Sequence, residues 1–307
     1  MQIIQETTEF MLPRRSVVAI GKFDGFHLGH QKLFTRVMEQ KKNGLLAVVF
    51  TFDPSPAAFF SQKMMKELMP KEEKRAAFER MGIDVLIEFP LNKETAATQA
   101  EDFVEEYLAH KLKAAVITAG TDLSFGNKGA GNAALLEKLS PVYDYHMEII
   151  DKVQIAGEEV SSTLIREAVK RGDIIRANTF LGEPYPINGI VSHGRHLGSQ
   201  MGMPTVNLLP PEEKLLPPNG VYYSYVWLEG KRYPAISNIG CKPTVSNEKV
   251  MGVETYLYDF SEDVYGKEIT VELLDFKRAE KKFSRIEELK EQVHRDIDEG
   301  AAFHKLL

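Results

Sequence analysis

The chain has 307 residues, 43% of them hydrophobic and 27% charged, with a formal net charge of −6, the composition of an ordinary globular protein with room for two domains. Acidic and basic residues are mixed along it, which excludes a nucleic-acid binder relying on a basic surface and leaves a local anion pocket open. One cysteine, Cys241, excludes a disulfide framework and a multi-cysteine zinc site, while the opening "MQIIQETTEF" lacks a signal-peptide pattern and runs such as "LLAVVF" are too short to span a bilayer. The expectation is a cytoplasmic protein with neither membrane nor nucleic-acid partners.

In chain order, the first predicted element is the apolar strand "SVVAIG", followed by a helix with Leu33, Phe34, Val37 and Met38 on one face. The turn "KKNG" leads into "LLAVVFTF", a near-continuous β-rich run of the kind buried on both faces of a parallel sheet. Helix "KEEKRAAFERMG", strand "IDVLIEFP", helix "AEDFVEEYLAHKL", strand "AAVITAG", helix "NAALLEKLS" and strand "YDYHMEIID" follow, then two helical patterns, "STLIREAVKRG" and "DIIRANTFLG". This alternation predicts an α/β domain with a doubly wound parallel sheet. After "LGEPYPING" the period changes. "GVYYSYVWLEG", "RYPAISNIG", "GVETYLYDF" and "EITVELLDF" are short strands between Gly, Pro and Asn turns, predicting a small antiparallel β-barrel, and "RIEELKEQVHRDIDEG" predicts a C-terminal helix. The boundary is expected near Gly182 to Pro186, giving domains 1–183 and 184–307.

The stretch "GKFDGFHLGH", Gly21 to His30, follows the first strand, where an open parallel sheet binds its ligands. Gly21 and Gly25 allow a sharp turn, and the helix begins close to His27. Its orphan N–H groups and positive dipole end favour an anion. His27 and His30, three apart with Gly29 between them, share a helical face. A zinc reading lacks a third ligand and the H-E-x-x-H pattern. Nucleotidyl transfer fits better, because imidazole donors at a helix start stabilise charge on an attacked phosphate and its pyrophosphate leaving group; Lys22 is placed to close over a triphosphate. A second element, "SSTLIREAVKRG", opens a helix with Ser161, Ser162 and Thr163, and puts Arg166 where a cation opposes the helix dipole unless an anion binds beside it. "GAGNAA", Gly129 to Ala134, matches a dinucleotide fingerprint, but a long loop separates it from its strand and it lies late in the sheet.

No P-loop motif occurs. In "MGMPTVNL", Thr205 and Asn207 share one face of a strand and offer oxygens that suit Mg²⁺. Glu254 in "GVETYLYDF" is placed to act as a general base. Tyr223, Tyr225 and Trp227 line one strand face, as a platform for a flat ligand or, more commonly, as packing.

These motifs resemble a known family. H-x-G-H followed by S-S-T-x-I-R looks like the nucleotidylyltransferase superfamily, and "TFDPSP" and "SFGNKGAGN" extend the likeness to prokaryotic FAD synthetases, the bifunctional riboflavin kinase/FMN adenylyltransferases. "GRHLGSQMGMPTVNL", "PNGVYYSYV", "SNIGCKPTV", "VETYLYDF", "DVYGKEI" and "FKRAEKKF" resemble the riboflavin kinase module in the same order. The resemblance implies a Rossmann-like adenylyltransferase domain and a kinase barrel, with ATP as co-substrate and riboflavin, FMN and FAD as substrates and products. It implies ATP binding by Gly21, Phe23, Asp24, Gly25, His27, Gly29, His30, Ser162, Thr163 and Arg166, with His27 and His30 catalytic. In the barrel it implies Thr205 and Asn207 on Mg-ATP and Glu254 as the catalytic base, and it puts Asp122, Phe125, Asn127 and Arg278 at flavin. It leaves room for a homo-oligomer. The chain departs from the family at Ser55, where a His is usual, at Leu123, where an aromatic is common, and at Ser199, where the kinase glycine loop usually has Arg. Ser199 motivates a rival reading, an adenylyltransferase with an impaired kinase; a non-catalytic flavin or nucleotide sensor is the rival from another class.

Overall fold

In the computed structural model, which describes residues 1–192, 203–243 and 249–307, the chain divides into two units, Met1–Ser161 and Ser162–Leu307. The first contains six strands, β1 (Gln2–Gln5), β2 (Ser16–Ile20), β3 (Leu46–Asp53), β4 (Val85–Pro90), β5 (Ala114–Gly120) and β6 (His146–Ile150). All pair in parallel, in the order β1-β4-β3-β2-β5-β6. Every residue of β2 is buried, as the apolar run requires of a central strand covered on both faces. Val17 and Ala19 face one core with Phe34, Val37 and Phe78 of helices α1 (Leu28–Lys42) and α3 (Lys71–Met81). Val18 and Ile20 face another, with Phe103 of α4 (Ala100–Phe103) and Leu136 of α5 (Ala133–Tyr143).

The sheet was expected to be doubly wound, and it is. Strand order runs from β2 through β3 to β4, then returns to β5 on the other side of β2, so the crevice lies over the C-terminal ends of β2 and β5. Three details differ from the sequence pattern. Edge strand β1, with the mostly exposed sequence QIIQ, has too little apolar character to register. The short α2 (Pro56–Ser61) is capped by Ser55, whose side chain accepts from the Ala58 N–H. The "AEDFVEEYLAHKL" helix continues past α4 as a π-helix over Val104–Lys111. A two-stranded hairpin, β7 (Gln154–Ile155) and β8 (Glu158–Glu159), ends the unit.

The second unit opens with α6 (Ser162–Arg171) and α7 (Ile174–Leu181). Asn178 ties α7 to the following strands: its amide donates to the Leu273 carbonyl at 2.9 Å and its oxygen accepts from the Tyr185 N–H at 2.8 Å. Of the Gly182–Pro186 stretch, Gly182 to Pro184 form the turn out of α7, with Gly182 its left-handed cap, and Tyr185 and Pro186 already open the next strand. Strands β9 (Tyr185–Ser192), β10 (Val206–Leu208), β11 (Gly220–Leu228), β12 (Lys231–Pro243), β13 (Lys249–Leu257) and β14 (Glu268–Ala279) close an antiparallel barrel, ordered β10-β13-β12-β11-β14-β9. Alternate residues of β11, Tyr222, Ser224, Val226 and Leu228, are buried. Helix α8 (Ile286–His304) is held to the barrel by Tyr258, whose hydroxyl donates to the Ile297 carbonyl at 2.6 Å. Phe303 stacks on Tyr223 at 4.0 Å, and Arg232 lies 3.7 Å over Tyr225. The tyrosine face is therefore packing, not an open platform. Ser199 lies outside the described residues.

Candidate active sites

The turn after β2 is built around Phe23, buried against Phe34 and Phe78 with centroids 5.0 and 6.0 Å away. Its backbone takes φ 48°, a left-handed conformation costing an L-residue roughly 1–2 kcal/mol. Burying a phenylalanine is worth about 1.5–3 kcal/mol, enough to hold it there. The ring folds back over Gly21, where a Cβ would come within 2.9 Å of it. Asp24 accepts from the backbone N–H groups of Leu68 at 2.8 Å and Met69 at 3.3 Å, tying the turn to the entry of α3. Gly25, at φ 74°, then directs the chain into α1.

His27 is the N-cap of α1, its Nδ1 accepting from the His30 N–H at 3.3 Å. The imidazole lies against the next turn, where a Cβ on Gly29 would stand 3.1 Å from its Cε1. That contact explains the glycine between the histidines. His30 Nδ1 is 2.8 Å from the Gly25 carbonyl, which only accepts, so this nitrogen carries the proton. Desolvation by burial, then the adjacent His30, brings His27 down to about 3. His30 is also lowered, chiefly by burial, against the opposing pull of the Gly25 carbonyl, Asp24 and Asp122. The neutral pair is thus asymmetric: His27 keeps a donor at Nε2, whereas His30 keeps a lone pair there. The rings stack at 3.7 Å, and at that distance two imidazolium charges repel. Sequence spacing suggested two donors; this geometry supplies one, and a second needs a proton at His30. No acidic residue occupies the first turn of α1, which suits an anion.

On the other side of the crevice, β5 ends at Gly120 and leads to Asp122, whose carboxylate is 4.0 Å from Lys152. Phe125 pairs with Gly131 in an isolated bridge and packs on Phe103 at 5.4 Å. Its ring is buried in the core rather than presented at a surface. Asn127 starts a 3₁₀ turn, its N–H donating to the Thr98 carbonyl at 2.7 Å. Leu123 packs partly buried against the same core. In the second unit, Ser162 and Thr163 form the first two positions of α6, and Arg166 stands fifth, just past the first turn in which it was expected.

The barrel carries its own site. The Thr205 hydroxyl, just before β10, donates to Glu254 Oε1 on β13 at 2.8 Å. Asn207 pairs in register with Glu254, and its side chain is buried. Thr205, Glu254 and Arg278 line one cavity of about 240 Å³, together with Met203, Asn238 and Tyr256. Arg278 Nε lies 3.0 Å from both Asp296 oxygens, linking the cavity wall to α8. Asn207 is not part of the cavity lining. A threonine hydroxyl, an asparagine amide and a carboxylate within one strand pair make an all-oxygen donor set, which fits Mg²⁺. Sequence reading missed Asn238 and Asp296, because only strand register and helix docking bring them to Glu254 and Arg278.

Comparison with known proteins assigns each half. The FAD synthetase family profile matches residues 10–164 and the riboflavin kinase profile matches residues 181–304. The bifunctional riboflavin kinase/FMN adenylyltransferase of Listeria monocytogenes is 33% identical over 97% of this chain and 95% of its own. Its counterpart in Bacillus subtilis is 35% identical over 94% and 92%. A solved structure described as a macrolide-efflux protein from Streptococcus pneumoniae is 30% identical, covers 96% of this chain and 97% of its own, and superimposes with a TM-score of 0.82. Among the described residues, no helix is long and apolar enough to cross a membrane.

Proposed function

The chain belongs to the family of bifunctional riboflavin kinases/FMN adenylyltransferases, and from that premise we propose how its residues divide the work. The enzyme phosphorylates riboflavin to FMN with ATP, then adenylylates FMN to FAD with release of pyrophosphate. Residues 184–307 carry the first reaction and residues 1–183 the second. The observation that carries the kinase assignment is the 2.8 Å hydrogen bond from Thr205 to Glu254 at the cavity wall.

In the kinase step, Glu254 accepts the proton of the flavin's primary alcohol as its oxygen attacks the γ-phosphorus of ATP. The new P–O bond forms in line with the bond to the departing ADP. Thr205 orients the carboxylate by donating to one of its oxygens, and Arg278 contributes to the flavin side of the cavity. Thr205 and Asn207 would hold Mg²⁺ through their oxygens; when bound, the ion neutralises charge on the phosphates.

In the adenylyl step, an oxygen of the FMN phosphate attacks the α-phosphorus, and the bond to pyrophosphate breaks. The His27 Nε2–H and the N-terminal amides of α1 stabilise the charge that develops, a purely electrostatic contribution. Gly21, Phe23, Asp24, Gly25 and Gly29 shape this turn. Ser162, Thr163 and Arg166 form the second nucleotide-binding motif, and Asp122 and Asn127 belong to the flavin side, with the buried Phe125 holding their loop to the core rather than touching the ligand. ATP, riboflavin and FMN are the small-molecule partners, in the cytoplasm.

Separation of flavins after incubation with riboflavin, ATP and Mg²⁺, alongside an incubation started from FMN, tests both activities. FAD should appear in each. In Glu254→Gln, FMN formation should fall by at least ~100-fold, with FMN-to-FAD conversion intact. Survival of FMN formation in that variant would remove Glu254 as the base.

A further inference from the structure

Glu254 does not stand alone on the cavity wall. Asn238 on β12 is its direct partner in register across the β12–β13 pair, and opposed side chains on one face lie about 5 Å apart. Tyr256, two residues along β13, shares that face and lines the same cavity.

Three other polar groups of the lining already have partners. Thr205 donates to Glu254 at 2.8 Å, Arg278 pairs with Asp296 at 3.0 Å, and Glu280 accepts from Asn219 at 3.1 Å. The half-buried Asn238 carboxamide has no hydrogen-bond partner among the described residues. It stands in a wall shared with Val221, Ile236, Leu289 and Val293. Its polar atoms are not among the buried unpartnered ones, so the carboxamide faces the cavity with both its donor and its acceptor open to a ligand. Gly240 preserves the space beside it: a Cβ there would lie 3.7 Å from Asn238 Nδ2 and 3.1 Å from Glu280 Oε1.

We propose that Asn238 is a specificity-determining residue of the kinase step, recognising the hydroxyl-bearing side chain of the flavin rather than its ring. A carboxamide both donates and accepts, the combination that an alcohol next to the reacting one can satisfy twice. An acid at this position would only accept and an amine only donate. A site that hydrogen-bonds a hydroxyl rejects the analogue that lacks it, so the polyol chain is both held and checked beside the base. The inference rests on the kinase reading of this cavity.

The test compares Asn238→Ala with Asn238→Ser in the full chain, measuring FMN formation from riboflavin. Lumiflavin, the same ring system without the polyol chain, serves as competitive inhibitor. In Asn238→Ala the KM for riboflavin should rise about tenfold, the loss of roughly one or two hydrogen bonds. The KM for ATP and the lumiflavin inhibition constant should not change. Asn238→Ser, which keeps one donor and acceptor, should recover part of the loss. Equal changes for riboflavin and lumiflavin, or none for either, would overturn the assignment. Glu254→Gln run in parallel separates the two claims. If it still forms FMN, Glu254 is not the base, and the reading of this cavity on which the inference rests loses its support. If it does not, and Asn238→Ala leaves the riboflavin-to-lumiflavin ratio unmoved, the Asn238 role alone falls.

Discussion

Replacing His27 with asparagine isolates the cost of burying that imidazole. Folded, His27 gains a proton only near about 3, whereas its ordinary value is 6.5. Between these values the unfolded chain holds a proton that the folded chain refuses. Stability is therefore complete above about 6.5 and is lost as pH falls toward about 3. At about pH 5, roughly 1.5 units into that window, linkage puts the loss at about 2 kcal/mol. The side chain is only 7% exposed, so solvent screening removes little of this. Asparagine keeps the N-cap, because its oxygen can accept from the His30 N–H, but it does not titrate. Between about pH 7 and pH 5, wild type should thus lose about 2 kcal/mol more than His27→Asn. Hydrogen exchange at the buried amides of β2, corrected for intrinsic rates, reads the stability of the first unit. The single tryptophan, Trp227, lies in β11 and follows the barrel as an internal control. Equal acid losses in the two proteins would refute the reasoning, since they would mean the imidazole is protonated while folded.

Gly29→Ala should separate stability from activity: alanine favours a helix by about 1 kcal/mol, yet its Cβ would sit 3.1 Å from the His27 ring. FMN-to-FAD conversion should fall about tenfold while thermal stability is kept or raised and riboflavin phosphorylation is unchanged; an unaltered adenylylation rate would show that the ring can move harmlessly. Glu88→Gln removes a buried carboxylate held by Arg75 Nε at 2.9 Å and Lys71 at 3.2 Å. Urea unfolding should show a loss of about 3 kcal/mol, the usual cost of leaving a buried pair half-made, and a loss under about 1 kcal/mol would mean the network is effectively solvated.

The sequence by itself determined the elements whose information is local. The all-apolar run of β2, the glycine-rich turn after it and the change of period after "LGEPYPING" are properties of adjacent residues, and the phosphate-site reading needed nothing more distant. Edge strand β1 escaped because an edge needs no apolar run. Tertiary structure decided what the side chains do. Thr205 meets Glu254 across 49 positions, and Asn238 meets it across a strand pair, because register is set by pairing between segments that no sequence period connects. The tyrosines of β11 become packing only once α8 brings Phe303 onto Tyr223. The two histidines, identical in the sequence, become a donor and a lone pair because one faces an amide N–H and the other a carbonyl, and only the folded turn fixes which nitrogen meets which.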